Sequence, residues 1–430
     1  MSGIQEDDDL VFHKIAALLE PLNEKGVKLT RDTDIIADLE IDSVSLLDVV
    51  MDIEDNYDIS IPVNTISEGR ETVLAGTHNY LGQTFEPSAI AAAKEALDRE
   101  GTGTTGSRVA NGTFAGHKQL ESDLADYLGM EHCIVFSTGY AANLGAIAGL
   151  ADRAEDVVLI DADCHACIYD GCQLSGAETI RFRHNDPESL DKRLSRLDPK
   201  YNGKLVCIEG MYSMYGDVAP VKEFVEVAHK HGAMLLVDEA HSFGVYGETG
   251  KGVSEAEGVM DQIDFYTGTF SKALAAIGGF VASNHREAEY LRISSNPYRF
   301  TASPSPATIA SADAALANIK AHPEIRAKLW ENAKRLHAAF TQFGLRLASK
   351  PAPVISVLLP TREDAFEAWN FLLERGVYVN MAIPPGTPGK ESLLRLAVSS
   401  AHTNEDIDRL VAAYGGLAEA FPSARVAADA

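Results

Sequence analysis

The sequence predicts an α/β fold in which a mostly parallel seven-stranded sheet carries helices on both faces, with a small C-terminal α+β domain and a helical N-terminal segment. Seven short apolar runs between residues 133 and 282 alternate with helical segments, and this alternation is typical of a parallel sheet covered on both sides. A Pro-rich break at 303–306 precedes one long helical stretch and three strand-like runs. Residues 1–66 contain 16 acidic and 4 basic side chains, an asymmetry that marks a separate module.

Helical and strand-like patterns can be assigned along most of the chain. Residues 10–20 and 44–54 have helical apolar spacing, separated by polar turns. The strands of the large sheet are expected at 133–136, 157–160, 179–182, 205–208, 234–237, 265–269 and 279–282. A helical stretch then runs to about Phe343, and strands follow at 355–359, 377–381 and 394–398. We therefore predict a helical segment at 1–66, a large domain at 67–310, a small domain at 311–420 and a tail at 421–430.

Composition excludes several classes of protein. The chain has 430 residues, 46% of them hydrophobic, and can bury a large core. Its net charge of −26 argues against a nucleic-acid partner, which would require clustered Lys and Arg. The acidic start and the lack of a membrane-length apolar run predict a cytoplasmic protein. An odd number of cysteines, five, predicts reduced thiols.

A lysine motif and an aspartate motif predict a cofactor. Lys272 ends the string Thr-Gly-Thr-Phe-Ser-Lys, 34 residues after Asp238 in Leu-Leu-Val-Asp-Glu-Ala-His, and each of these two residues follows an apolar strand. A lysine in such a position can form a Schiff base with pyridoxal 5'-phosphate, and the carboxylate can pair with the pyridine nitrogen. The small residues 273–279 would let the lysine reach the cofactor without crowding. A surface lysine is the alternative.

The string from Asp238 to His241 also occurs in helicases. A nucleotide site of that kind needs a phosphate loop of the form Gly, four residues, Gly-Lys-Ser/Thr. The nearest candidate aligns Gly250 and Lys251 with the Gly-Lys of this loop. The first glycine would then fall at Val245 and the hydroxyl residue at Gly252, so neither position matches. The helicase interpretation is therefore rejected.

A cluster of thiols around His165 permits two interpretations. Cys164, His165 and Cys167, with Asp163 and Cys172 nearby, are zinc-ligand types at short spacing, but no second Cys-x-x-Cys pair or downstream His pair completes four ligands. Alternatively, His165 lies flat on the cofactor ring and the cysteines pack as small apolar residues. We favour stacking.

Two further sites are predicted for charged groups. Gly139 and Tyr140 follow a strand and begin a helix, so that their amides, together with Thr269 and Ser271, could bind a phosphate. Arg395 lies on a predicted strand and suits the carboxylate of an amino acid, although a structural ion pair is the alternative.

Ser43 precedes an acidic helix, as either a helix N-cap or a phosphopantetheine attachment point.

From about Arg70 to Glu419 the chain resembles the α-oxoamine synthases, pyridoxal phosphate enzymes of fold type I that condense an amino acid with an acyl thioester. The motifs occur in family order: Asn79-Tyr-Leu-Gly82, Gly103-Thr-Thr-Gly-Ser-Arg108, Asn111-Gly-Thr113, Gly116-His117, Glu209-Gly-Met-Tyr-Ser213 through Asp217, the Asp238 and Lys272 motifs, and Arg395 with His402-Thr403. Within the family, three motifs resemble most closely those of the bacterial members that use L-serine. They are Gly103 to Arg108, Pro384 to Pro388, and Leu393 to Arg395 with Ala401 to Thr403.

The resemblance implies roles for individual residues. Lys272 would hold the cofactor and act as base, Asp238 would pair with its ring nitrogen and His241 would bond its phenolic oxygen. The remaining implied cofactor contacts are His165 on the ring and Gly139, Tyr140, Ser213, Thr269 and Ser271. Arg395 would bind the substrate carboxylate. The family works as a homodimer with active sites at the interface, so Asn79 and Tyr80 would reach the partner's substrate.

The implied reaction is the decarboxylative condensation of L-serine with palmitoyl-CoA to a 3-keto amine. Glycine or alanine as the amino acid, and an acyl carrier protein as the donor, are alternatives. Peripheral membrane association is expected for release of the product. An aminotransferase, or an acyl-carrier scaffold with an inactive catalytic domain, are rival functions.

Residues 1 to about 66 look like an acyl carrier protein, with Ser43 as the implied attachment point for 4'-phosphopantetheine. After Pro62 the last carrier helix is missing, and the leading helix of the synthases is missing before Asn79. Either the two modules are fused with a deletion, or the carrier is vestigial.

Overall fold

The computed structural model describes residues 16, 19–23, 26–30, 33, 72–151, 155–387 and 389–426. The chain divides into two units, Met1–Thr72 and Val73–Ala430. The described part of the first unit includes a short 3₁₀ helix, Glu20–Leu22. Ser43 and the predicted helix at 44–54 lie outside the described residues, as does most of the predicted helix at 10–20.

The second unit alternates strands and helices along the chain. Its strands are β1 (Val73–Leu74), β2 (His132–Phe136), β3 (Asp156–Asp161), β4 (Glu178–Phe182), β5 (Gly203–Glu209), β6 (Met234–Asp238), β7 (Phe265–Thr269), β8 (Gly279–Ser283), β9 (Val354–Leu359), β10 (Val377–Tyr378), β11 (Asn380–Ala382) and β12 (Ser392–Ala397). Its helices are α1 (Pro87–Glu100), α2 (Ala115–Leu128), α3 (Gly139–Leu150), α4 (Ala166–Ser175), α5 (Pro187–Leu194), α6 (Val221–Lys230), α7 (Val253–Ala256), α8 (Leu291–Ser294), α9 (Asn296–Phe300), α10 (Pro306–Ala321), α11 (Pro323–Gln342), α12 (Arg362–Glu374) and α13 (Asn404–Ala420).

Seven strands form the large sheet in the order β2-β8-β7-β6-β5-β3-β4. Strand β8 is antiparallel to both of its neighbours, and the other pairs are parallel. The central strands are apolar and buried because helices cover both faces of a sheet of this kind. The predicted fold class, including all seven strands, is confirmed.

The carboxyl ends of the parallel strands bring polar side chains to one edge of this sheet. Glu209 ends β5, Asp238 ends β6 and Thr269 ends β7. The register pairs Glu209 with Asp238, and Asp238 with Thr267. Ligands of open α/β sheets bind at this edge, so the sheet itself places the acidic groups of the site.

A three-stranded antiparallel sheet, in the order β11-β12-β9, forms the centre of the C-terminal part. The single strand predicted at 377–381 is wrong, because the chain changes partners within it. Strand β10 pairs in parallel with β1, whereas β11 pairs with β12. Between them, the carbonyl of Val379 accepts a hydrogen bond from the indole of Trp369.

The long helical stretch predicted up to Phe343 is two helices. Helix α10 ends at Ala321 and α11 begins at Pro323, since proline disfavours a helical conformation of the residue before it and cannot continue the hydrogen bonds. Helix α10 packs against α1 and α2. Within the described residues, no helix is long and apolar enough to cross a membrane.

Candidate active site

A cavity of about 270 Å³ lies at the carboxyl edge of the large sheet. Three strands and the start of helix α3 supply its walls. Eight of the residues predicted from the sequence line it: Gly139, Tyr140, His165, Asp238, His241, Thr269, Ser271 and Lys272. Residues distant in the sequence thus converge on one cavity.

Lys272 lies in the tight loop that joins β7 to the antiparallel strand β8. The peptide N–H of Phe270 donates to the carbonyl of Gly278 at 3.0 Å and closes this loop. Burial lowers the pKa of the lysine, although the carboxylates of Asp238 and Glu209 oppose the change. A larger fraction of the amine is therefore uncharged at neutral pH, as a nucleophile or a base requires.

Asp238 is held by a hydrogen-bond relay that starts on β7. The hydroxyl of Thr267 donates to Asn143 Oδ1 at 2.8 Å, and Asn143 Nδ2 donates to Asp238 Oδ2 at 2.7 Å. The other carboxylate oxygen accepts from the amide of Ala240 at 2.8 Å. Sequence reasoning missed Asn143, although a polar side chain among the small apolar residues of a helix signals a buried partner.

His165 caps helix α4 with its ring. The peptide N–H of Cys167 donates to Nδ1 at 3.2 Å, and the thiol of Cys167 lies 3.0 Å from the same nitrogen. Because Nδ1 accepts a hydrogen bond, the neutral ring carries its proton on Nε2. Burial lowers the pKa of His165, with Asp238 opposing, so the side chain acts as a neutral donor.

Glu209 is a further residue that sequence reasoning did not assign to the site. Its side chain lines the cavity and accepts a hydrogen bond from the backbone N–H of His165. Burial and then the neighbouring Asp238 raise the pKa of Glu209 well above its usual range. This carboxyl group fixes the turn that carries His165.

Small and hydroxylic residues line the end of the cavity at helix α3. A Cβ on Gly139 would come within 2.7 Å of Thr269 Cβ, so only glycine leaves this space open. The hydroxyls of Thr269 and Ser271 are 2.9 Å apart. With the N-terminus of α3, they suit a phosphate group. The Tyr140 hydroxyl instead donates to Asp170, so its backbone is the part available for phosphate binding.

Tyr80, which is predicted to reach the partner's substrate, lies against a histidine of its own subunit. Tyr80 is fully buried, and its hydroxyl lies 2.8 Å from Nδ1 of His241 in the same chain. The Oδ1 of Asn79 accepts from the amide of Thr84 at 3.4 Å. Tyr80 therefore positions His241, which lines the cofactor cavity of its own subunit.

Arg395 lies beside a second cavity, of about 370 Å³. Arg395 lines it together with Trp369, Tyr378 and Asn380, and its Nη1 donates to the carbonyl of Ser213 at 3.2 Å. Ser213 was predicted as a cofactor contact, but the structure places it against Arg395 and not in the wall of the 270 Å³ cavity.

All five cysteines are free and buried. Burial raises the pKa of the Cys164 and Cys167 thiols well above that of an exposed cysteine, which disfavours the thiolate that a metal needs. In the described part of the chain, no three His, Cys, Asp or Glu side chains are grouped as metal ligands.

The residues around the first cavity fit pyridoxal phosphate. A lysine lines it, a fixed carboxylate can pair with a ring nitrogen, and a glycine-lined space at a helix N-terminus can hold a phosphate. The donor set is therefore complete for this cofactor.

Two families match the chain. The family described as aminotransferase class I and II matches residues 73–413. A phosphopantetheine attachment site matches residues 14–75, a range that includes Ser43. The predicted carrier-like segment at the N-terminus is thereby confirmed.

Several relatives of known name or structure are similar to this chain over most of its length. A serine palmitoyltransferase from Caulobacter vibrioides is 50% identical over 360 residues, covering 84% of this chain and 89% of the relative. A solved serine palmitoyltransferase with its pyridoxal phosphate internal aldimine is 48% identical, covers 83% of this chain and 89% of its own, and superimposes with a TM-score of 0.80. A Desulforudis audaxviator protein provisionally named an 8-amino-7-oxononanoate synthase is 40% identical, over 82% of this chain and 91% of its own. The chain therefore belongs to the class I and II aminotransferase family and, as a homologue of serine palmitoyltransferases, is a pyridoxal phosphate-dependent acyltransferase with an N-terminal phosphopantetheine attachment domain.

Proposed function

We propose that the protein condenses L-serine with a long-chain acyl thioester, palmitoyl-CoA in the first instance, to give 3-ketosphinganine, the free thiol and carbon dioxide. This reaction would begin sphingolipid synthesis. The observation that supports it is the convergence of Lys272, Asp238 and His165 on one cavity in a chain 50% identical to a serine palmitoyltransferase.

The cofactor would be held at its two ends. Asp238, fixed by Asn143, would pair with the ring nitrogen, and Gly139, Thr269 and Ser271 would bind the phosphate. His165 would stack on the ring, and His241 would bond the phenolic oxygen. When bound, pyridoxal phosphate supplies an electron sink for negative charge at the amino-acid Cα.

Lys272 would move the proton. Its Nζ would take the proton from Cα of serine, and the carbon would then attack the thioester carbonyl and expel the thiolate, which takes its proton from solvent. Loss of carbon dioxide follows, and Nζ returns the proton to the same carbon. Until then, the Nε2–H of His165 and the guanidinium of Arg395 would hold the carboxylate by hydrogen bonds.

The acyl donor is the finer part of the proposal. A phosphopantetheine arm on Ser43 would carry an acyl group as a thioester, so the N-terminal match supports a carrier-bound donor beside coenzyme A. A second candidate function is an α-oxoamine synthase that uses glycine or alanine with an acyl carrier. The relative named as an 8-amino-7-oxononanoate synthase favours it.

Assembly and location belong to the same proposal. We expect a cytoplasmic homodimer with active sites at the interface and peripheral membrane association for product release. Phe85, Ile277 and Phe300 expose 81%, 66% and 73% of their surface and are available for such contacts.

Mass spectrometry of the products tests the reaction. The holoenzyme is incubated with palmitoyl-CoA and equimolar serine, glycine and alanine, and then with a palmitoylated carrier protein instead of palmitoyl-CoA. A dominant serine-derived keto amine is expected. A glycine- or alanine-derived ketone would establish the second candidate, and keto-acid formation without any thioester would contradict both.

A further inference from the structure

The segment from Gly76 to Tyr80 connects the walls of the two cavities. At one end, the carbonyl of Gly76 accepts from Asn380 Nδ2 at 2.8 Å, and Asn380 lines the cavity of Arg395. At the other end, Tyr80 contacts His241, which lines the cofactor cavity. His78 lies between these two ends.

The ring of His78 packs against that of His241, which lines the cofactor cavity. Its centroid lies 5.1 Å from that of His241, edge to face, and 5.9 Å from that of Tyr80. Its Nε2 is buried and has no hydrogen-bond partner in the protein. A buried polar atom without a partner is costly, so such an atom calls for a partner from outside the chain.

The charge near His78 determines which partner suits this nitrogen. Burial, and then the charges of Arg395 and Lys272, lower the pKa of His78 to about 3. The ring is thus neutral and has one N–H to donate. A carboxylate that pairs with Arg395 can accept this N–H, and its oxygen would favour the tautomer with the proton on Nε2.

We propose that Nε2 of His78 donates a hydrogen bond to the carboxylate of the bound amino acid, beside Arg395. The inference rests on the proposed function and adds a residue to it. His78 is then a substrate-binding residue that selects ligands with a carboxylate, and it contributes to binding before any acyl thioester is present.

Equilibrium titration of the holoenzyme tests this role. Wild type, His78→Phe and His78→Gln are titrated with L-serine and with ethanolamine, which is serine without its carboxylate. Binding is followed by calorimetry and by the visible spectrum of the cofactor. Phenylalanine keeps the ring against His241 but has no donor, so we expect the Kd of L-serine to rise about ten- to 100-fold, the usual effect of one hydrogen bond to a charged group.

The other variant and ligand separate recognition from structural damage. Glutamine offers an amide N–H near the position of Nε2, and should keep the Kd of L-serine within about threefold of wild type. The Kd of ethanolamine should stay unchanged in His78→Phe. An unchanged Kd for L-serine, or equal weakening of both ligands, would overturn the inference. Since no thioester is used, a wild type that binds L-serine yet forms no ketone contradicts only the proposed function.

Discussion

Asn143 is the side chain on which the position of Asp238 depends. We predict that Asn143→Ala weakens cofactor binding about ten- to 100-fold, because Asp238 loses a charged hydrogen bond and the Thr267 hydroxyl loses its acceptor. The Kd of pyridoxal phosphate, measured by titration of the apoenzyme, checks this value.

Asn332 offers a matched control for that substitution. It is equally buried in a helix, and its amide donates to the carbonyls of Ser399 and His402, far along the chain from the cofactor cavity. Asn332→Ala should lower thermal stability but leave the cofactor Kd at the wild-type value. Equal losses of affinity in the two variants would show that Asn143 has no special role.

Gly139 is the residue that keeps the phosphate space open. In Gly139→Ala the new Cβ would come 2.7 Å from Thr269 Cβ, and relief of such overpacking costs about 1–3 kcal/mol. We expect the Kd of the cofactor to rise about five- to 150-fold. In the control Gly103→Ala, the added Cβ meets no atom within 4 Å, and the Kd should not change.

The site residues that could be predicted from the sequence are those that belong to a recognisable local motif. Lys272 and Asp238 each follow an apolar strand, and parallel strands end at one edge, so their proximity could be predicted. Asn143, His78 and Glu209 could not be assigned in this way. Their importance comes from hydrogen bonds or ring contacts with distant residues, such as the bond between Asn143 and Asp238, 95 positions apart.

His184, in the turn between β4 and α5, forms hydrogen bonds to two other parts of the chain. Its Nδ1 lies 2.8 Å from Asp161 at the end of β3, and its Nε2 lies 2.7 Å from Asp217. Asp163 is 3.8 Å away. Burial opposes ionisation, but the hydrogen bonds to Asp161 and Asp217 outweigh it and raise the pKa of His184 to about 10.

This tie predicts a pH dependence of stability. The pKa in the folded state lies above the unfolded value of about 6.5, so the stabilisation is complete below pH 6.5 and is lost as the pH rises towards 10. We predict that wild type loses roughly 4 kcal/mol of unfolding free energy over this interval, because each unit of difference between the two pKa values corresponds to about 1.4 kcal/mol. Urea denaturation at pH 6.5, 8 and 10 measures the change.

Two variants isolate the contribution of His184 to that pH dependence. His184→Gln should flatten the decline. His337→Gln removes a histidine whose Nε2 faces the carbonyl of Ser349 at 3.0 Å, and it should keep the wild-type slope. A wild-type slope in His184→Gln would refute the assignment.

At the level of elements, local patterns predicted strands better than their partners. The apolar run at 377–381 has the composition of one strand, but residues on either side of Val379 pair with different strands. Partner choice depends on the position of β1, about 300 residues earlier in the chain. No local pattern contains that information.

The chain as a whole combines an acyltransferase with a phosphopantetheine attachment domain. We predict that incubation with a phosphopantetheinyl transferase and coenzyme A adds one phosphopantetheine to wild type, and none to Ser43→Ala. Intact-protein mass spectrometry reads the modification directly. Activity with palmitoyl-CoA should be the same in both, because that donor does not need the arm.

Ser45, two positions further on, provides the control for this experiment. Ser45→Ala should gain the same mass as wild type. Modification of Ser43→Ala, or a lack of modification in wild type, would show that the attachment domain does not load at Ser43.

The position of β8 in the large sheet has a consequence for synthesis on the ribosome. Strand β2 pairs only with β8 in that sheet, and β8 joins it to the other five strands. Residues 132–136 of the nascent chain therefore cannot pair with β8 until residues 279–283 have left the ribosome. During that interval both edges of the apolar strand β2 are unpaired, and long-range closure of this kind is slow. We expect the nascent chain to bind chaperones most strongly after β2 has been translated and before β8 has been translated.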